Sequence, residues 1–295
     1  MTSLIKGTGL VKRYEGFCLD HVDLEVPSGY VVGYIGSNGS GKTTTLKGLL
    51  GLVSFDEGSV EAFDKPAGED GLWRQNVGVV FDACQLPKEM EITDLKILGK
   101  AAYHSWDDNA YTAYLKSFGI PSDKTVETLS RGMGMKLSLA FALAHTPQLL
   151  ILDEPTAGLD PIARQEVLDI LRDYMTDESR GILISSHITS DLEAIADTII
   201  CLDEGKVVFN IPKDDICLKA GIARCHEDEF EAVVQNTASI QAGSTQSGLC
   251  YIRHAYSVDV LVPDRFAFTR AFPEVTVDAA SIDAYMLHML KGESL

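Results

Sequence analysis

The sequence lacks the cysteine spacings of structural zinc sites and of dense disulfide frameworks. Its 6 cysteines are scattered and form no Cys-x-x-Cys pair: Cys18, Cys84, Cys201, Cys217, Cys225 and Cys250. With 295 residues, the chain is long enough to bury a sizeable core without cross-links. We therefore expect free thiols and a reducing compartment.

Long apolar runs are also missing. Nowhere do the roughly 18 consecutive apolar residues of a transmembrane helix occur. The segment Met1–Tyr14 contains neither the apolar core nor the small-residue cleavage site of a secretory leader. If the protein works at a membrane, we expect another polypeptide to carry it there.

Basic residues are scarce relative to acidic ones. The chain has 25 Lys and Arg against 43 Asp and Glu, which gives a formal net charge of −18. An acidic surface disfavours binding to nucleic acid or to an anionic membrane face, because their phosphates repel it. We therefore expect no nucleic-acid partner, and solubility is the simplest role of the charge.

Short β-rich runs alternate with helical segments over about the first 200 residues, which predicts an α/β domain around a largely parallel sheet. The expected strands are apolar on both faces, as in a sheet covered by helices on both sides. They are Tyr30–Ile35, Val77–Phe81, Leu149–Leu152 and Gly181–Ser185. The expected helices are Lys42–Leu50, Gly132–Ala144, Pro161–Asp173 and Ser190–Ala196.

Two further regions have a different pattern. The stretch Thr93–Thr128 is helical without strand-like runs, so we expect an inserted helical subdomain with these aromatic residues in its core: Tyr103, Trp106, Tyr111, Tyr114 and Phe118. After the strand Val207–Phe209, the pattern predicts a small α+β appendage without a catalytic motif. Its expected elements are helices at Lys213–Leu218, Cys225–Gln235 and Ile282–Leu290, strands at Leu249–Arg253, Ser257–Val262 and Thr276–Val277, and a polar loop at Asn236–Gly248.

A phosphate-binding motif follows the first expected strand. It reads Gly36, Ser37, Asn38, Gly39, Ser40, Gly41, Lys42 and Thr43. Glycines let backbone N–H groups face phosphate oxygens, and the following helix start adds partial positive charge. We expect Lys42 to reach the β- and γ-phosphates and the Thr43 hydroxyl to bind Mg²⁺. The alternative is a glycine-rich turn between a strand and a helix.

Polar residues at other strand ends complete a candidate site. Asp153 and Glu154 follow the strand Leu149–Leu152, at the edge where open α/β sheets bind ligands. Asp153 suits Mg²⁺ through water, and Glu154 suits a general base. His187 follows another strand and suits a γ-phosphate contact, whereas Tyr14 suits either adenine stacking or an ordinary half-buried position.

With these residues in order, the chain resembles the nucleotide-binding subunit of an ABC transporter over about residues 2–210. The resemblance rests on Tyr14, the loop Gly36–Thr43, the signature Leu129–Met133, the acids Asp153 and Glu154, the turn Gly158–Asp160 and His187. It implies a P-loop NTPase core with a mostly parallel sheet, an N-terminal antiparallel β portion and a helical subdomain at about 93–145. The ABC ATPase domain would span residues 1–210, and residues 211–295 would form an α+β accessory domain.

The resemblance also implies an activity and partners. A head-to-tail pair of subunits would close on ATP and Mg²⁺ and open after hydrolysis, and so drive a separate membrane permease. The second subunit would be another copy of this chain, with a different ATPase subunit as the alternative. The chain would lie in the cytoplasm, held on the inner face of the membrane by that permease. The implied catalytic residues are Lys42, Glu154 and His187, and the implied Mg²⁺ contacts are Thr43, Asp82 and Asp153. The implied nucleotide contacts are Tyr14, the loop Gly36–Thr43, Thr44, Ser130, Gly132 and Asp160.

Two positions depart from the family pattern. The usual signature Leu-Ser-Gly-Gly-Gln reads Leu-Ser-Arg-Gly-Met here, so that Arg131 and Met133 are unusual. The glutamine expected after Val77–Phe81 is replaced by Asp82, with Gln85 as the reserve. We choose Asp82 because a carboxylate still binds Mg²⁺ or its waters.

Shorter features resemble one bacterial export group within the family, whose ATPases pair with separate six-helix permeases and often serve antibiotic or peptide export. These features are Phe81-Asp82, Leu86-Pro87, the Leu-Ser-Arg-Gly-Met signature and Met289–Glu293. The leading hypothesis is therefore an exporter ATPase.

The alternative hypothesis is a soluble ABC ATPase in DNA repair, chromosome structure or translation. About 90 residues separate Lys42 from Ser130, too few for the long coiled coil of such proteins, and the cysteines lack zinc spacing. A small-molecule kinase would not need the signature, and a degenerate nucleotide binder would not need Lys42, Glu154 and His187 together.

Overall fold

The computed structural model of the chain describes residues 2–68, 71–235 and 249–294, so the loop expected at Asn236–Gly248 lies outside the described residues. Contacts divide the chain into two compact units. The first comprises Met1–Ala196 and Leu202–Val207, and the second comprises Asp197–Cys201 and Val208–Leu295. The functional domain boundary at residue 210 stays a prediction.

An antiparallel sheet of order β2-β1-β4-β5 opens the first unit. Its strands are β1 (Ser3–Tyr14), β2 (Phe17–Pro27), β4 (Glu57–Ala62) and β5 (Lys65–Pro66). In β2, buried Val22, Leu24 and Val26 alternate with exposed acidic residues, the pattern of a sheet with one solvated face. The expected N-terminal antiparallel portion is therefore confirmed.

A second sheet carries parallel neighbours in the order β6-β7-β8-β3. These strands are β3 (Val31–Gly36), β6 (Val77–Val80), β7 (Leu149–Asp153) and β8 (Gly181–Ser185). Every residue of β3, β7 and β8 is buried, as expected of strands covered on both faces. The next strands, β9 (Thr198–Asp203) and β10 (Lys206–Pro212), are divided between the two units.

The helices of the first unit are α1 (Lys42–Leu49), α2 (Leu95–Ala102), α3 (Asp108–Ser117), α4 (Arg131–Leu143), α5 (Pro161–Tyr174) and α6 (Thr189–Ile195). The helices α1, α4, α5 and α6 begin and end within one residue of the predicted bounds, whereas α2 and α3 lie in the stretch Thr93–Thr128, for which only helical structure was predicted. Tyr111 is fully buried in a cluster with residues of α2, α3 and α4, and Trp106, Tyr114 and Phe118 pack against this cluster. Tyr103 stacks on His145. The aromatic residues of the helical subdomain therefore pack as core, as predicted.

The second unit contains an antiparallel sheet of order β14-β11-β13-β12-β15. Its strands are β11 (Gly221–Cys225), β12 (Cys250–Arg253), β13 (Val258–Val262), β14 (Thr276–Ala279) and β15 (Glu293–Ser294). Its helices are α7 (Glu227–Gln235), α8 (Arg265–Ala271) and α9 (Ile282–Lys291). Side chains such as Phe230, Val260 and Phe268 share one buried cluster, so the expected α+β fold is confirmed.

The prediction of a helix over Cys225–Gln235 was wrong at its start. Residues Gly221–Cys225 form a strand, with Cys225 paired to Val258, and the helix begins at Glu227. This strand is central and buried between β13 and β14, so tertiary pairing decides its conformation. The helix Lys213–Leu218 is instead a π-helix at Asp215–Lys219.

In the part of the chain that the structure describes, no helix is both long and apolar enough to cross a membrane.

Candidate functional site

The loop between β3 and α1 has the backbone geometry of a phosphate cradle. Gly36 has a φ of +157°, and a Cβ there would lie 2.2 Å from the Leu202 carbonyl oxygen. Gly41 has a φ of +111°, and a Cβ there would lie 2.8 Å from Cζ of Phe17. Only glycine fits both positions, because the backbone conformation and the nearby atoms leave no room for a Cβ.

Lys42 curls back over this loop. Its Nζ donates to the carbonyl oxygens of Gly36 at 2.8 Å and Ser37 at 3.2 Å, and it lies 3.9 Å from Oε1 of Glu154. The Lys42 side chain is only 7% exposed, so its charge is largely removed from water beside the loop. A buried cation at the start of a helix is well placed to bind phosphate oxygens.

A cavity of about 270 Å³ opens in front of the loop. It is lined by Phe17, Asn38, Gly39, Gly41, Lys42, Thr43, Thr44 and Glu154. Of the remaining loop residues, Ser37 donates to Asp203, whereas the buried hydroxyl of Ser40 has no partner among the described residues. Such an unsatisfied buried donor fits an anionic ligand on the loop.

Sequence reasoning missed the aromatic residue that lines this cavity. Phe17 does so, whereas Tyr14 is 48% exposed and lies beside Phe17 with 6.5 Å between ring centroids. The two residues are directly paired across the β1–β2 hairpin, which the chain spacing alone could have suggested. The adenine-stacking role assigned to Tyr14 stays a prediction.

Asp153 ends β7 with both carboxylate oxygens engaged. Oδ2 accepts from the Thr43 hydroxyl at 2.8 Å, and Oδ1 accepts from the Ser185 hydroxyl at 2.5 Å. A hydroxyl and a carboxylate at a phosphate loop fit Mg²⁺, which proteins hold through one or two carboxylates plus substrate phosphates. The described residues contain no cluster of three or more His, Cys, Asp or Glu side chains suited to a metal.

Glu154 follows Asp153 in a left-handed backbone conformation, with a φ of +51°. Its Oε2 lies 2.6 Å from Nδ1 of His187 and accepts from the His187 backbone N–H at 3.2 Å. Non-glycine residues in this conformation are strained and cluster at functional sites. The structure therefore brings together the acid, the histidine and the lysine that the sequence singled out.

The signature and the turn that ends at Asp160 begin two neighbouring helices. Ser130 caps α4 by accepting from the Met133 backbone N–H at 3.3 Å, and a Cβ on Gly132 would lie 3.2 Å from that of Ala163. Asp160 caps α5, and the backbone N–H groups of Ala163 and Ile162 hold its pKa below the ordinary value. Within one chain, these residues therefore serve as caps and contacts between helices.

A separate cavity of about 320 Å³ lies at the signature. Asp82 lines it together with Ser130 and Arg131, and Arg131 donates to the Asp82 carbonyl oxygen at 3.5 Å. Asp82 therefore shares a cavity with the signature and not with Lys42 and Thr43, and Gln85 is exposed. The Mg²⁺ role of Asp82 stays a prediction.

Together, the glycine loop, its buried lysine and the acids at the carboxyl end of β7 define a P-loop nucleoside triphosphatase. Comparison with known proteins identifies the family within this class of nucleoside triphosphatases. The family model described as "ABC transporter" matches residues 19–157. The bacitracin transport ATP-binding protein BcrA of Bacillus licheniformis is 36% identical over 225 residues, which cover 73% of this chain and 72% of the relative.

Another relative is the daunorubicin/doxorubicin resistance ATP-binding protein DrrA of Streptomyces peucetius. It is 31% identical over 255 residues, which cover 83% of this chain and 77% of the relative. A solved structure of an ATP binding subunit of an ABC transporter superposes with a TM-score of 0.66 at 27% identity, covering 72% of this chain and 91% of that chain. The chain belongs to the ABC transporter family as an ATP-binding subunit, and it is an ABC-type ATPase.

The fold agrees with this assignment. The ATP-binding cassette MJ0796, in a post-hydrolysis state with ADP and Pi, shares the fold with a TM-score of 0.62 at 20% identity, covering 70% of this chain and 98% of that chain. The expected P-loop NTPase fold is therefore confirmed.

Proposed function

We propose that this chain is the ATP-hydrolysing subunit of a bacterial exporter and that two copies close around ATP and Mg²⁺ to drive a separate membrane permease. The observation that carries the proposal is the contact of Glu154 with both His187 and Lys42 beside the phosphate loop. In this scheme the chain is peripheral, held on the cytoplasmic face of the membrane by the permease.

Each residue of the cluster has a distinct task in this proposal. Lys42 and the loop N–H groups hold the phosphates, and Glu154 polarises the attacking water. His187 holds the Glu154 carboxylate in place and, after ATP binds, contacts the γ-phosphate. Thr43 and Asp153 would hold Mg²⁺, which supplies charge neutralisation on the phosphoryl oxygens when bound.

The export assignment is supported by what the relatives are. BcrA serves bacitracin transport, DrrA daunorubicin and doxorubicin resistance, and the relative SrtF of Streptococcus pyogenes, 34% identical over 70% of this chain and 90% of its own length, lantibiotic transport. We infer that this chain energises the same kind of export and that its permease selects the cargo.

The dimer is supported by the position of the signature. Ser130 and Arg131 lie in a different cavity from Lys42, so one copy alone does not bring the signature to its own phosphate loop. A second copy, placed head to tail, supplies the signature helix start to the γ-phosphate, where its N–H groups favour an anion.

The substitution Glu154→Gln tests the proposal. We expect kcat for ATP to fall by about 100- to 10,000-fold, because the general base is lost. ATP binding persists, so an ATP-bound dimer accumulates, as measured by light scattering on size-exclusion chromatography. The control is Glu166→Gln, which removes only a partly exposed ion pair with Lys136 and leaves hydrolysis unchanged.

Unchanged hydrolysis in Glu154→Gln would contradict the assignment of the base. Stimulation of the wild-type ATPase by DNA or by ribosomes would overturn the transporter assignment in favour of a soluble ABC ATPase.

A further inference from the structure

Ser185, the last residue of β8, lies between the two acids of the site. Its side chain is fully buried, and its hydroxyl contacts both Asp153 and Glu154. The sequence alone does not indicate this role. Ser185 lies two positions before His187, and its sequence context predicts only the end of an apolar strand.

Strand register places the hydroxyl there. Asp153 and Ser185 are direct partners in the parallel pairing of β7 with β8, so both side chains point to the same face at the carboxyl end of the sheet. The contact is therefore built into the sheet and does not depend on a mobile loop.

The hydroxyl proton of Ser185 fixes the orientation of the Asp153 carboxylate. Ser185 donates to Oδ1 at 2.5 Å, which leaves Oδ2 directed at the Thr43 hydroxyl at 2.8 Å. A hydroxyl donor to a buried carboxylate is a strong, charge-assisted hydrogen bond. It holds Oδ2 on the side of the Thr43 hydroxyl, where the two side chains would hold Mg²⁺.

The two oxygen atoms of Ser185 accept hydrogen bonds from the Glu154 backbone. The Glu154 backbone N–H donates both to the Ser185 hydroxyl and to the Ser185 carbonyl oxygen, each at 3.1 Å. These two acceptors anchor the residue whose φ of +51° is strained, and thereby hold its carboxylate against His187.

We propose that Ser185 is a positioning residue that couples the Mg²⁺-binding carboxylate of Asp153 to the backbone of the general base Glu154 through a single buried hydroxyl. The proposal rests on the roles proposed above for Asp153 and Glu154. Removing the hydroxyl leaves Oδ1 buried without its donor and the Glu154 amide without one acceptor, so both the metal contact and the base lose their orientation.

The variant Ser185→Ala tests the proposal. We expect kcat to fall and the Mg²⁺ concentration for half-maximal hydrolysis to rise, each by about 10- to 100-fold, because residues that orient metal ligands carry effects of this size. Ser185→Thr, which keeps the hydroxyl, restores both values to within a few-fold of wild type.

A binding measurement separates this role from simple loss of structure. In EDTA, a fluorescent non-hydrolysable ATP analogue binds wild type and Ser185→Ala alike, whereas added Mg²⁺ tightens binding to wild type and has less effect on the variant. Ser186→Ala is the matched control, because its equally buried hydroxyl bonds to Ile188 and not to Asp153. It lowers the melting temperature while the Mg²⁺ dependence of binding stays that of wild type.

The outcomes are distinct. If Ser185→Ala folds poorly, Ser185→Cys, whose thiol is a weaker donor of similar size, is expected to give an intermediate Mg²⁺ dependence. Wild-type Mg²⁺ dependence in Ser185→Ala or in Ser185→Cys overturns the proposal. If the Asp153→Asn and Glu154→Gln variants also hydrolyse ATP normally, the proposed function is contradicted. If those two variants are inactive while the Ser185 variants behave like wild type, only the proposed role of Ser185 is contradicted.

Discussion

Gly41 shows at the residue scale how strictly the phosphate loop is constrained. It precedes α1 with a φ of +111°, and its α-carbon faces the ring of Phe17, which also lines the cavity in front of the loop. Any side chain there meets both a backbone conformation that L-residues avoid and an aromatic ring atom that is closer than van der Waals contact. A side chain at Gly41 would therefore disturb both the loop backbone and the position of Phe17 in the cavity.

The substitution Gly41→Ala is expected to weaken binding of an ATP analogue by at least about 10-fold, since even ~1.4 kcal/mol of strain has this effect. Isothermal titration calorimetry measures it directly. The matched control is Gly119→Ala, which also has a positive φ, of +67°, but has no atom within 4 Å of the added Cβ. Equal affinity in the two variants would contradict the steric argument.

At the element scale, the site depends on parallel strands that end at one edge. β3 leads into the phosphate loop, β7 ends in Asp153, and β8 ends in Ser185 just before His187. Helices are attached to this sheet in part through His145, which follows α4. Its ring stacks on Tyr103 with 3.7 Å between centroids, and its Nε2 lies 3.3 Å from the Val77 carbonyl oxygen of β6.

The environment of His145 predicts a pH dependence of stability. Burial lowers its pKa to about 4, so the unfolded state binds a proton that the folded state does not bind. The contribution of neutral His145 to the free energy of unfolding is complete above about pH 6.5 and is lost as the pH falls towards 4. Between pH 7.5 and pH 5 this site alone costs about 2 kcal/mol of the free energy of unfolding.

Replacement of His145 by Gln is expected to lower stability at pH 7.5 but to make the loss between pH 7.5 and pH 5 smaller than in wild type. Urea unfolding followed by tryptophan fluorescence at both pH values measures this difference. His104→Gln, at an exposed histidine, is the control. A wild-type acid sensitivity in the His145 variant would show that another group is responsible.

At the scale of the whole molecule, the net charge of −18 disfavours direct binding to an anionic membrane. Phosphatidylserine vesicles carry a negative surface potential that attracts basic segments and repels an acidic protein. The proposed attachment to a permease therefore has to come from specific contacts between the two proteins.

In a flotation assay at about 0.15 M salt, where charges are screened beyond ~8 Å, we expect the chain to stay away from protein-free phosphatidylserine vesicles. Membranes that contain a co-expressed permease of the export group are expected to retain it. Binding to the protein-free vesicles would contradict the argument from charge.

Much of the site could be predicted because its chemistry is concentrated in short segments. The loop Gly36–Thr43, the acids Asp153 and Glu154, and His187 each follow an apolar strand, and parallel strands bring their carboxyl ends together. The strand Gly221–Cys225 could not be predicted in this way. It depends on pairing with residues elsewhere in the chain, and a local pattern does not contain its partner.

The sequence by itself determined the phosphate loop, the acid pair, the order of the motifs and hence the family, because these depend on residue type and spacing along the chain. Only the tertiary structure decided that Ser185 lies between Asp153 and Glu154, and that Asp82 shares a cavity with the signature rather than with Lys42. The physical reason is that a hydrogen bond depends on the distance between atoms, and strand register, not chain position, brings residues 32 positions apart to 2.5 Å.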